Sequence, residues 1–159
     1  GYVTEFTEDN DEKDAAIYYT LEYDKNGYLQ RIEQRYSYNE SRKRVSECTW
    51  RDGNLVEAKC TDYNEDGTDI TTVKYSYSQT ATPINIDLFY IDGGYIDVLE
   101  PLDLLGFYGR QSAKLPNKAD ITYSGESESE SDDFGVYTLN DDGTVARIDC
   151  GSVSYELIY

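Results

Sequence analysis

Three stretches of the chain can be laid over one another, and each reads as a β-hairpin caught at its turn. Leu21–Gln34 is LEYDKNGYLQRIEQ, Tyr137–Cys150 is YTLNDDGTVARIDC, and Cys48–Cys60 is CTWRDGNLVEAKC, one turn residue shorter. Each has an apolar or aromatic residue before the turn (Tyr23, Leu139, Trp50) and a turn ending in Asn26-Gly27, Asp142-Gly143 or Asp52-Gly53. Such dipeptides supply the left-handed backbone a tight hairpin needs, which makes them the strongest short-range hairpin signal. Turn geometry then places Leu29, Val145 and Leu55 opposite Tyr23, Leu139 and Trp50. A chain made of these units is an antiparallel meander, a scaffold that dictates no particular chemistry.

The whole of 1–159 reads as one all-β domain: an up-and-down meander of about ten strands forming a strongly curved sheet or a barrel-like structure. Up to Ser78 the strands follow one another without interruption, separated by an acidic turn at Glu8–Asp14 and a polar turn at Asn39–Arg44. Further strands are expected at 84–91 and 95–99, then a short helix near 100–106, with Pro101 in its first turn and Gly106 at its stop. Phe107–Asp120 is the longest irregular segment, and Gly125–Asp133 (GESESESDD) is expected to be a mobile, solvated loop. Within the hairpins, Leu29 and Ile32 would point to opposite faces of a regular strand. That predicts a sheet covered on one side and partly on the other.

Charge and composition remove several function classes. With 32 acidic and 14 basic residues the net charge is −18, so nucleic acid and anionic membrane surfaces are excluded as partners. No apolar run approaches the roughly 20 residues of a spanning helix. There is no histidine, which rules out Ser-His and Cys-His nucleophiles and leaves catalysis without its usual base. The 17 tyrosines fit ordinary sheet packing or a sugar-stacking surface. The chain begins Gly1-Tyr2 and has no methionine, so it is expected to be a processed or truncated form, with Gly1 as a tag-cleavage scar. If Asp52-Gly53 closes a two-residue turn, Cys48 lies opposite Glu57 with Cys60 on the other face, which argues against a disulfide within that hairpin unless a bulge intervenes.

Two constellations could carry function. Asp62, Asn64, Asp66 and Asp69 match the opening of a calcium loop, but Val73 stands where the last, bidentate Glu belongs. Since the other hairpins share the frame, turn chemistry is the competing explanation, and Ca2+ is the one cofactor to consider. In the irregular segment, Tyr108, Arg110, Ser112, Lys114 and Lys118 bring cations, hydroxyls and an aromatic together. Long irregular loops often carry function. The alternative is that this one covers an open end of the sheet, its cations pairing with nearby carboxylates. Arg42-Lys43-Arg44 reads as a solubilising turn.

The same segment carries a resemblance. Leu105-Gly106-x-x-Gly109-x-x-Ser112-x-x-Leu115-Pro116, between a Tyr-rich meander and an Asp-Gly hairpin, resembles a family of Bacteroides-type lipoproteins of unknown function with a porin-like fold. The resemblance implies export to the periplasm or cell surface and membrane attachment only through a lipid on a cysteine upstream of Gly1. It assigns no catalytic residues. The chain is too short and too charged for a membrane-spanning barrel. Two functions follow as expectations: a non-enzymatic envelope module binding a glycan, peptide or protein partner, or a carboxylate-dependent glycan hydrolase.

Overall fold

The computed structural model describes residues 2–10, 15–78, 109–150 and 153–157. They form β1 (Glu5–Asn10), β2 (Ala15–Tyr23), β3 (Leu29–Tyr36), β4 (Asn39–Arg51), β5 (Asn54–Asn64), β6 (Gly67–Ser76), β7 (Lys118–Tyr123), β8 (Ser129–Asp133), β9 (Val136–Leu139), β10 (Val145–Cys150) and β11 (Val153–Glu156). Strands β1 to β8 pair in sequence order as one antiparallel sheet, and β9, β10 and β11 form a second with β10 in its centre. The fold is therefore an all-β antiparallel meander, as the repeats predict. Among the described residues no closed barrel forms: β1 and β8 each have a single neighbour in the sheet. No described residue is helical. The helix expected near 100–106 and the strands expected at 84–91 and 95–99 lie outside the described residues.

All three cross-turn pairs form as the turn geometry requires: Tyr23 with Leu29, Trp50 with Leu55, and Leu139 with Val145. The inner partners Leu29, Leu55 and Val145 are each 0 % exposed. At the shorter turn Asp52 and Gly53 both take positive φ, 51° and 77°, the signature of a two-residue hairpin loop of the type matched to strand twist.

Each repeat also contains something its residue pattern does not announce. One residue just beyond the turn, Gln30, Val56 or Ala146, is skipped in the pairing, so the register slips at the same offset every time. Such a bulge reverses the alternation of faces. Leu29 and Ile32 consequently enter the same core, as do Leu55 and Ala58, which corrects the expectation that these neighbours point opposite ways. The slip also moves Cys48 opposite Ala58 instead of Glu57 and puts Cys60 opposite Ser46, on the face of Cys48; neither forms a disulfide.

Three local expectations are corrected. Residues 39–44 are not a turn but the start of β4, the connection being Ser37-Tyr38 alone. Glu8–Asn10 continues β1. The acidic run after Gly125 is not all loop: its second half is β8, an edge strand with every side chain exposed. Carboxylates along an edge repel a further strand, so this composition protects the edge.

One face of the large sheet holds the main core, from Tyr19 and Leu21 on β2 across Val73 and Tyr75 to Ile121 on β7. On the other face only Glu33, Val45 and Thr61 are buried among the described residues. Glu33 lies between the guanidinium groups of Arg31 and Arg35, the latter at 2.5 Å. Burial alone would raise its carboxyl, but the two cations override that and hold it below its ordinary value. A second, smaller core joins Leu115 to Tyr137 and Val145, with Ile148 and Leu157 against them.

Candidate binding surface

The meander puts the β2–β3 and β4–β5 turns at one end of the large sheet and the β3–β4 and β5–β6 turns at the other. Residues 109–117 run along the first end and fasten it. The amide of Arg110 donates to the carbonyl of Gly27 and that of Ala113 to the carbonyl of Gly53, both at 2.8 Å. The Lys114 amide donates to Asn54 Oδ1 at 2.9 Å, and the Asn117 amide to the Ser76 carbonyl at 2.9 Å. Ser112 is buried; its Oγ accepts from the Leu55 amide at 2.9 Å and lies 3.3 Å from the Tyr77 hydroxyl. That hydroxyl donates to the Leu55 carbonyl at 2.6 Å, and burial pushes its pKa up to about 12, with the Ser112 contact pulling the other way. The Pro116 carbonyl accepts from the Tyr137 hydroxyl at 2.6 Å, which ties the segment to the second sheet.

Gly109 shows how close the fit is. A Cβ there would meet the Gly27 carbonyl oxygen and lie 2.9 Å from the Tyr23 ring, and its φ of +93° is one that L side chains avoid.

The ligand residues expected in this segment take separate roles. Tyr108 lies outside the described residues. Arg110 is exposed, its guanidinium 5.9 Å from the Tyr28 ring centroid, near the limit of a cation–π contact. Ser112 points inward, Lys114 is exposed, and Lys118 is on β7, where its ammonium pairs with Asp120 at 2.6 Å and holds that carboxyl below its ordinary value. Gly109, Ser112, Leu115 and Pro116, the described part of the resemblance motif, are all used in packing or hydrogen bonding.

The residues of the calcium-like run lie at the opposite end. Asn64 Oδ1 accepts from the Asp66 amide at 2.9 Å, and Asn64 Nδ2 donates to Asp69 at 3.0 Å. The same amide capture recurs at Asp24, which accepts from the Asn26 and Tyr28 amides at 2.8 and 2.9 Å, so turn chemistry accounts for the shared frame. Asp62 is engaged with cations: one of its oxygens is 3.8 Å from Arg44 Nε and 4.0 Å from Arg42 Nη2. Among the described residues no three His, Cys, Asp or Glu side chains are grouped to hold a metal ion.

Around Asp62 the sheet register assembles a polar row that no motif marks. Tyr19, Gln34, Arg44, Asp62 and Asp69 lie opposite one another on β2 to β6, on the core face. Beside the row the Arg42 guanidinium sits over the Tyr36 ring at 4.9 Å, and the Tyr38 ring is 5.5 Å from that of Tyr36. The Tyr36 hydroxyl donates to Gln34 Oε1 at 3.1 Å, and Asn39 donates to Glu65 at 3.2 Å, linking the two turns. The signal was the alternation in Arg42-Lys43-Arg44. On a strand it sends both arginines to one face and Lys43 to the other, where it lies 4.7 Å from the Tyr63 ring.

No family model matches the chain, and no curated protein does. Among solved structures, a porin-like protein from Bacteroides uniformis superposes with a TM-score of 0.65 over 99% of this chain at 17% identity. A second, from Bacteroides vulgatus, gives 0.60 over 84% at 15% identity. The chain spans 62% and 58% of the length of those two proteins. At such identity the likeness is one of fold: the chain has the porin-like fold of these Bacteroides proteins.

Proposed function

We propose that the chain is a non-enzymatic cell-envelope module that binds a glycan, a peptide or a protein partner at the open end of its large sheet. One observation carries the reading. The first end is fastened by residues 109–117, while at the other Tyr38 is 58% exposed and Arg42 and Asp62 are partly exposed and already oriented. Side chains held in place before a ligand arrives lose little freedom on binding it. The envelope assignment draws on the fold shared with Bacteroides porin-like proteins. The hydrolase alternative has less behind it: among the described residues every carboxylate with a displaced pKa (Asp24, Glu33, Asp120, Asp142) is shifted down, whereas a glycosidase acid is shifted up.

A thermal-shift plate tests the proposal, with the purified chain in EDTA, in millimolar calcium and with soluble polysaccharides. A ligand that binds only the folded state raises the midpoint. A rise with one polysaccharide class, or a specific partner captured from envelope extract, is expected. A calcium-only rise that disappears in Asp66→Ala would replace the proposal with a metal-stabilised domain. A flat plate and an empty capture would refute it.

A further inference from the structure

We infer that the row around Asp62 takes a saccharide bearing a carboxylate, a uronic-acid type of ligand; this rests on the module reading and names its ligand class. The chain is strongly acidic, yet here two cations, Arg42 and Arg44, are brought to one face beside Asp62. Arg42 Nη2 is 4.0 Å and Arg44 Nε 3.8 Å from its carboxylate, outside hydrogen-bonding range, so Asp62 engages both through charge. Arg42 Nε and Asp62 Oδ1 are buried and make no hydrogen bond to any described residue. A buried polar atom left so in a folded protein calls for an explanation. The Arg42 guanidinium sits 4.9 Å from the Tyr36 ring centroid, and its planar set of N–H donors is the kind of group that recognises a carboxylate.

Tyr36 and Tyr38 then decide which carboxylate. Their rings are 5.5 Å apart beside that fork, and Tyr38 is exposed, offering an aromatic face for an apolar pyranose surface to pack on. The partly exposed Asp62 supplies an acceptor for sugar hydroxyls. An acidic peptide would use the arginines but not the paired rings.

The test is titration calorimetry with a defined oligogalacturonide, the same oligosaccharide after carboxyl reduction, and an oligoglutamate peptide. The charged sugar should bind roughly tenfold or more tightly than its reduced form, the difference that one charge-assisted contact makes. Its affinity should fall with added salt and be lost in Arg42→Gln. Tyr38→Ala, at a site too exposed to affect folding, should also weaken it, and this keeps the test valid if Arg42→Gln does not fold. Equal binding of the charged and reduced sugars overturns the ionic inference but leaves the module standing. Tighter binding of the peptide overturns the saccharide assignment in the same way. Binding of none overturns the inference, and the module falls as well only if the polysaccharide plate and partner capture are also empty.

Discussion

The two ends of the large sheet are made of the same hairpins and finished in opposite ways. At one, the carbonyls of Gly27 and Gly53 accept amides from residues 109–117, and Ser112 is buried beneath them. At the other, among the described residues, the turns at Ser37-Tyr38 and Glu65-Asp66 are joined by the Asn39–Glu65 bond, and arginine, tyrosine and carboxylate groups stay partly exposed. The irregular segment is a fastening, and the reactive-looking surface is built on regular strands, which hold side chains more precisely than loops do.

The comparison can be broken most severely at Gly109. Gly109→Ala adds a methyl against the Gly27 carbonyl at positive φ and should cost roughly 3 kcal/mol, read from denaturant unfolding. A loss under about 0.5 kcal/mol would mean that the fastening is loose. Ser112→Ala strands the buried Leu55 amide and should cost about 1–3 kcal/mol by the same measurement, leaving binding at the open end unchanged.

A control lies on the face away from both ends. Glu33 has a depressed carboxyl pKa, so its contribution to stability is present above its unfolded value and is lost as pH falls through the folded one. Wild-type stability should drop below the ordinary value of 4.5, and Glu33→Gln should flatten that limb in acid titrations followed by circular dichroism. Smallest of all, Tyr38→Ala should change stability by less than about 0.5 kcal/mol. A larger loss would make Tyr38 structural and erase the contrast between the ends.

How far the residues announce this molecule depends on range. The hairpins, their cross-turn pairs and the antiparallel order are local, set by Asn-Gly and Asp-Gly, and they were legible. The bulges at Gln30, Val56 and Ala146 were not, because nothing in side-chain type marks a skipped residue; their recurrence at one offset after each turn was the available clue. Reading Arg42-Lys43-Arg44 as a turn followed from polarity alone, and this hid the open-end row, whose members are 7 to 50 residues apart and meet only through register. The covering role of residues 109–117 was one of two readings of that segment. The backbone amides that fasten it to the sheet carry no sequence signature.

Amide hydrogen exchange, with and without the oligogalacturonide, tests the division between the two ends most directly. The account predicts that the Leu55, Arg110, Ala113 and Asn117 amides are protected like the core strands and indifferent to the sugar, while the Ser41, Arg42 and Asp66 amides slow when it is added. Fast exchange across 109–117, or slowing by the sugar confined to that segment, would contradict it.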